Sequence, residues 1–150
     1  MAVIITEYVP FLNMLIISVI FLIIAITVHE YSHALIAYKL GDPTAKIYGR
    51  LSLNPLKHID PLGLLALFIF RIGWGKPVPI DTYNFKNPKR DEILVSVAGP
   101  ASNFILAILV STIIKLISPP LNITFYLYQF ISLNIFLAIF NLLPIWPLDG

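Results

Sequence analysis

Three apolar stretches dominate the chain, at residues 11–28 (resuming at 34–37), 93–118 and 123–145. A helix needs about 20 predominantly apolar residues to cross a bilayer, and a soluble core has no use for uninterrupted runs of that length. Composition agrees: 58% of the 150 residues are hydrophobic and 12% are charged, where soluble domains carry about a quarter charged residues. Too little polar surface remains to cover a globule in water. The expected fold class is an all-α polytopic membrane protein with three transmembrane helices.

The polar residues are concentrated in the interval 41–92, which is rich in Pro, Gly and Asn. It reads as a loop joining the first two spans, placed at about 11–40, 93–118 and 123–146 within a single domain 1–150. Ala45, Ile47, Leu51 and Leu53 alternate with Lys46, Tyr48, Arg50 and Ser52, the period of a half-buried strand. Residues 76–80 are too proline-rich for a helix and read as extended edge structure. Between them, 62–72 is apolar but too short to span, which suggests a re-entrant or interfacial piece. A small β and re-entrant loop is therefore expected between the spans.

Nine of the ten Lys and Arg residues fall between Lys39 and Arg90; the tenth is Lys115. Basic loops stay in the cytoplasm, so 41–92 is expected on that side and the N-terminus opposite. The first basic residue is Lys39, so the start of the chain does not read as a cleaved signal peptide. The basic residues are scattered among prolines, and no nucleic-acid patch is expected. Absence of cysteine removes disulfides, thiolate ligands and thiol nucleophiles. Any metal must be held by His, Asp or Glu.

One polar interruption breaks the first apolar run: His29-Glu30-Tyr31-Ser32-His33. Residues four apart share a helix face, so His29 and His33 can offer two imidazoles to one ion. Glu30, one position on, can reach a water beside the metal as general base. Ionised groups at a helix centre cost about 2.5–3.5 kcal/mol each in a membrane, and polar clusters there are functional by default. Three residues are candidates for a third ligand: His58, Asp60 and Asp149. His58 and Asp60 lie in the polar loop, where solvated or capping roles are commoner. Asp149 follows two helix-breaking prolines, Pro144 and Pro147, at the end of the third span. His33 lies seven residues before Leu40, about 10 Å from that helix end at 1.5 Å per residue. The third span returns to the same side, so Asp149 is expected at a matching depth. A His₂Asp set leaves one tetrahedral position open, the catalytic arrangement for zinc.

With these residues, the chain resembles the site-2 proteases, a family of intramembrane zinc metalloproteases, in their compact form lacking a PDZ domain. His29-Glu30-Tyr31-Ser32-His33 matches the first family motif, and residues 141–150 match Asn-x-x-Pro-x-x-x-Leu-Asp-Gly. Gly99-Pro100-Ala101-Ser102-Asn103 resembles the Gly-Pro-x-x-Asn segment of the intervening helix, and 54–61 and 73–79 resemble the family's loop. The resemblance implies one zinc ion on His29, His33 and Asp149, with Glu30 as the general base. It implies peptide-bond hydrolysis in or near the transmembrane segment of a membrane-protein substrate, close to the cytoplasmic face of the cell membrane. Asn103 matches a position thought to assist catalysis, where its amide could donate to a developing oxyanion; the competing role is helix–helix packing. Family members continue beyond Leu-Asp-Gly, so further sequence after Gly150 is expected. An unwound substrate could add as a strand to an edge at 46–53 or 76–80. Two other classes compete with the protease: a transporter or metal-handling protein, which would need more ionisable residues within the spans than Lys115, and a non-catalytic scaffold derived from a protease.

Overall fold

The computed structural model describes residues 2–70 and 73–143. Helix α1 (Ala2–Leu40) is followed by a single turn α2 (Thr44–Ile47), a short helix α3 (Pro61–Phe70), and two long helices, α4 (Pro88–Ile117) and α5 (Leu121–Asn141). Three segments, Leu12–Leu40, Pro88–Ile117 and Leu121–Asn141, are long and apolar enough to cross a membrane, at 29, 30 and 21 residues. Helix α4 packs against both α1 and α5.

Burial runs opposite to that of a water-soluble bundle. Small and polar side chains lie between the helices: Ala25, Thr27, His29, His33, Ala34, Asn103, Asn134 and Ala138 are all buried. Ile108 and Phe136 are 64% and 61% exposed, and Leu12, Ile16, Ile20 and Ile105 are also exposed. In water such surfaces would aggregate; in lipid they are the solvent-facing side, and small residues let the helices approach. The chain is a multi-pass membrane protein.

Helix ends follow local chemistry. Helix α1 stops at Gly41, whose φ of 110° is open to glycine and closes the last turn with Asp42 N–H donating to Ala37 O at 3.0 Å. Helix α4 begins at Pro88, five residues before the expected Ile93, because the sequence supplies a first-turn proline and Asp91, whose carboxylate accepts the Asn87 N–H at 3.1 Å. An apolar-run reading sees only the part of a helix that lies in lipid. Ser118 in the left-handed region, then Pro119 and Pro120, separate α4 from α5.

The loop differs from expectation in one respect: among the described residues no strand forms, and Ile59 and Gly75 make one isolated antiparallel bridge. Residues 44–47 are helical instead. The Asp42 carboxylate captures the Thr44 N–H at 3.0 Å directly after Pro43, which starts a helical turn. The alternation also has no continuous face to bury: Ala45 is buried, but Ile47 and Leu53 on the same face are 76% and 59% exposed. The re-entrant candidate is helix α3, ten residues long and about 15 Å at helical rise, too short to span.

Asp42 holds the loop to the bundle. Its buried carboxylate also accepts from Thr44 Oγ1, from the Asp81 N–H at 2.9 Å and from Asn84 Nδ2 at 2.9 Å. Burial alone would raise its pKa, but these hydrogen bonds outweigh it and hold the carboxyl below its usual range. The end of α1 is thereby tied to the turn Thr82–Asn84 that leads into α4, above a small core of Ala37, Phe85 and Val95.

Candidate metal centre

Helices α1 and α4 run antiparallel, so ascending residues of one meet descending residues of the other. His33 Nδ1 lies 2.7 Å from the Val95 carbonyl oxygen, and His29 Nδ1 lies 2.5 Å from Asn103 Oδ1. Val95, Gly99 and Asn103 are successive i+4 positions on α4, the same face that α1 presents with His29 and His33. A carbonyl oxygen can only accept, so Val95 fixes the His33 proton on Nδ1 and leaves the lone pair on Nε2.

Between them sits Gly99. A Cβ placed there would fall within 3.0 Å of Nε2 of both His29 and His33. The two Nε2 atoms therefore converge on one spot against the α4 backbone, which only glycine leaves open. The ring centroids are 4.7 Å apart and the planes cross at 78°, an arrangement that aims both nitrogens inward without stacking the rings. Two imidazoles with their Nδ1 atoms held by oxygen acceptors and their Nε2 atoms convergent form a donor set that suits a divalent transition metal such as zinc.

Glu30 lines a cavity of about 220 Å³ with His33, Pro77, Val78, Ile80, Thr82, Glu92, Val95 and Ser96. Pro100, inside α4, has no N–H to offer the Ser96 carbonyl one turn earlier. The cavity wall is thus polar backbone and carboxylate on one side and the proline-rich segment on the other.

Curated relatives resemble this chain closely. The "Putative zinc metalloprotease YwhC" of Bacillus subtilis is 44% identical over 143 residues, covering 88% of this chain and 64% of that protein. Rip2 of Mycolicibacterium smegmatis, which carries the same description, is 35% identical over 136 residues, 85% of this chain and 52% of its own length. Stage IV sporulation protein FB of Bacillus subtilis is 32% identical over 138 residues, 86% of this chain and 46% of its own. Through these relatives the chain resembles the site-2 protease family over 85–88% of its own length. It spans between 46% and 64% of the length of these relatives. No family model and no solved structure matches it.

The other expected site residues fall as follows. Asp149, with all of 144–150, lies outside the described residues. Among the described residues, no group of three His, Asp or Glu side chains is placed to hold a metal. Asp60 caps α3, accepting the Leu62 N–H at 2.9 Å and the Trp74 indole N–H at 3.1 Å. His58 is fully buried in the loop and donates from Nε2 to the Ser52 carbonyl at 2.7 Å. Burial, with the nearby charge of Arg50, pushes its pKa down despite that bond. Asn103 is fully buried and does not line the cavity; its amide is engaged by His29 on one side and by Asn134 Oδ1, at 2.8 Å, on the other.

Two residues of the candidate site carry no motif signal. Asn134, fully buried in α5, was concealed in a run of apolar residues. Its one cue is a polar amide in the middle of a span. Arg50, 5% exposed, donates from Nη2 to the Lys76 carbonyl and to the Pro77 carbonyl at 3.2 Å. The next residue, Val78, donates its N–H to Glu30 Oε2 at 3.1 Å. Arg50 thus clamps the segment that contacts the carboxylate. In the sequence it looked like one more loop cation.

Proposed function

We propose that this chain is the catalytic core of an intramembrane zinc metalloprotease that hydrolyses a peptide bond in or near the transmembrane segment of a membrane-protein substrate. The observation that carries this reading is the convergence of His29 and His33 Nε2 against Gly99, with Glu30 on an adjoining cavity. His29, His33 and Asp149 would hold one zinc ion, which when bound would supply Lewis acidity and lower the pKa of a water to about 7.

Glu30 takes the proton of the attacking water and returns it to the leaving amine, the ordinary task of a positioned carboxylate. The Val78 N–H holds one of its oxygens, which keeps the side chain oriented toward the cleft. Asn103 enters as a positioning group for His29. The substrate has to present an extended backbone, because a helix hides its carbonyls in its own ladder. The cavity between residues 77–80 and α4 admits a chain of that shape, and irregular backbone at membrane depth is tolerated where it lines such a cavity. The basic residues gather at the end of the bundle where α1 stops and α4 starts, which supports a cytoplasmic-facing site in the cell membrane. The described parts of the spans carry no row of ionisable groups beyond the motif to serve as a transport path.

The test uses the detergent-purified full chain. Glu30→Gln is expected to lower cleavage of a transmembrane substrate by about 10²–10⁴-fold while zinc content is kept. Asp149→Ala is expected to lose zinc. Undiminished cleavage by the Glu30 variant would remove the protease reading, and unchanged zinc in the Asp149 variant would remove the third ligand.

A further inference from the structure

His33 and His29 are oriented by different means. For His33 the acceptor is a backbone carbonyl, whose polarity is beyond dispute. For His29 it is one end of an amide, and an amide can present either oxygen or NH₂. What decides the orientation lies two residues further on, in another helix.

Asn134 Nδ2 donates to the Phe130 carbonyl of its own helix at 2.9 Å. That carbonyl only accepts, so the NH₂ end of Asn134 is committed to it and Oδ1 points the other way. Asn103 Nδ2 donates to this Oδ1 at 2.8 Å. The Asn103 oxygen is consequently the end that faces His29 Nδ1, at 2.5 Å. Both asparagines are 0% exposed, so reversing either amide would oppose like ends in a site where water cannot repair the loss. A fixed direction runs from Phe130 through Asn134 and Asn103 to His29, and it ends by placing the imidazole proton on Nδ1.

We propose that Asn134 is a positioning residue for the metal centre: through Asn103 it fixes the tautomer of His29, so that Nε2 is the nitrogen with a lone pair for the ion. The inference rests on the proposed metal centre and extends it to α5, which contributes no ligand among the described residues. It also explains a buried amide in the middle of a spanning helix, where a polar group needs a compensating role. The relay couples the packing of α5 on α4 to the metal affinity of α1.

The experiment compares wild type, Asn134→Leu and Asn134→Asp in the detergent-purified full chain. A buried aspartic acid stays protonated, so its carbonyl oxygen accepts from Asn103 and its O–H donates to Phe130, restoring both bonds. Nitrogen-15 NMR of the histidines in metal-free protein reads the tautomer, and chelator competition reads zinc affinity. Wild type and Asn134→Asp are expected to show His29 protonated on Nδ1. Asn134→Leu is expected to populate the Nε2–H form and to bind zinc roughly 10–100-fold more weakly, the usual effect of losing an outer-shell partner. Wild-type tautomer and affinity in folded Asn134→Leu would overturn the proposal, as would His29 protonated on Nε2 in wild type. Should Asn134→Leu not fold, Asn103→Leu replaces it. It removes the acceptor of His29 Nδ1 and is expected to populate the Nε2–H form, and an unchanged Nδ1–H tautomer would overturn the relay. Zinc failing to bind wild type would instead sink the metalloprotease reading, while the metal-free NMR still decides the relay.

Discussion

Two buried polar clusters of this chain are built in opposite ways. Around Asp42, in the loop, the acceptor is one carboxylate and most donors are backbone N–H groups or short side chains of the loop itself, from Thr44 two residues on and from Asp81 and Asn84, 39 and 42 residues on. Around His29 and His33, in the membrane, the partners come from other helices, 74 residues away for His29 to Asn103 and 31 for Asn103 to Asn134. Within a span the backbone N–H groups are consumed by the helix's own ladder, so a polar side chain is satisfied by a neighbouring helix or, as Asn134 is by Phe130, by a second lone pair on a carbonyl of its own helix. In the loop the backbone itself is available. The comparison teaches that loop polarity draws on backbone donors to close the loop on itself, whereas membrane polarity fixes how helices register against one another.

That contrast predicts different failures. The largest expected effect is Gly99→Ala. Its methyl group would collide with both imidazoles, and an overpacked contact of roughly 3 kcal/mol corresponds to about 100-fold weaker zinc binding. Chelator competition measures it, with circular dichroism expected to show the helices intact. Wild-type zinc affinity in that variant would contradict the convergence of the two nitrogens.

Asp42→Ala comes next and should fail in the opposite sense. Removing an acceptor that serves several buried donors costs about 2 kcal/mol or more. Limited proteolysis should open the loop at 42–84 while zinc content stays near wild type. Equal loss of zinc and loop protection would show that the two clusters are not independent.

Arg50→Lys probes the junction between them. A lysine cannot reproduce the two-carbonyl contact of a guanidinium, so the 76–78 segment should loosen from Glu30. A fall of about tenfold in kcat, or about 1.4 kcal/mol, is expected with zinc unchanged. A change confined to zinc would place Arg50 with the metal centre instead.

The smallest effect is on pH. Burial holds the His58 pKa below its ordinary value, so the folded loop binds fewer protons than the unfolded one. Its contribution to stability is complete above about pH 6.5 and declines as pH falls below that, by at most about 1.4 kcal/mol per unit. Hydrogen exchange across 52–58 should show protection weakening from pH 7 to pH 5.5, and His58→Gln should flatten the dependence. Protection rising on acidification would reverse the sign and contradict a neutral buried His58.

Much of this was legible in the residues. The lengths of the apolar runs determined that three helices cross a membrane, because a hydrocarbon slab admits little else. The spacing of His29 and His33 determined that they share a face, because helical periodicity is local. Glu30 and the resemblance of the whole chain to the site-2 proteases followed from motif order. The loop was misread as β because alternation at 45–53 says nothing about whether a surface exists to bury it, and Asp42 decided otherwise from outside that window.

Only tertiary structure decided the rest. Gly99 was one letter of the Gly-Pro-x-x-Asn segment until α1 and α4 were set side by side. Asn103 looked like a candidate donor to substrate, yet its amide is turned to His29 and Asn134. Asn134 and Arg50 belong to no functional motif. The physical reason is common to these cases: hydrophobicity and helical period act along the chain and can be read from it, whereas the direction of a buried hydrogen bond depends on which group another helix brings opposite.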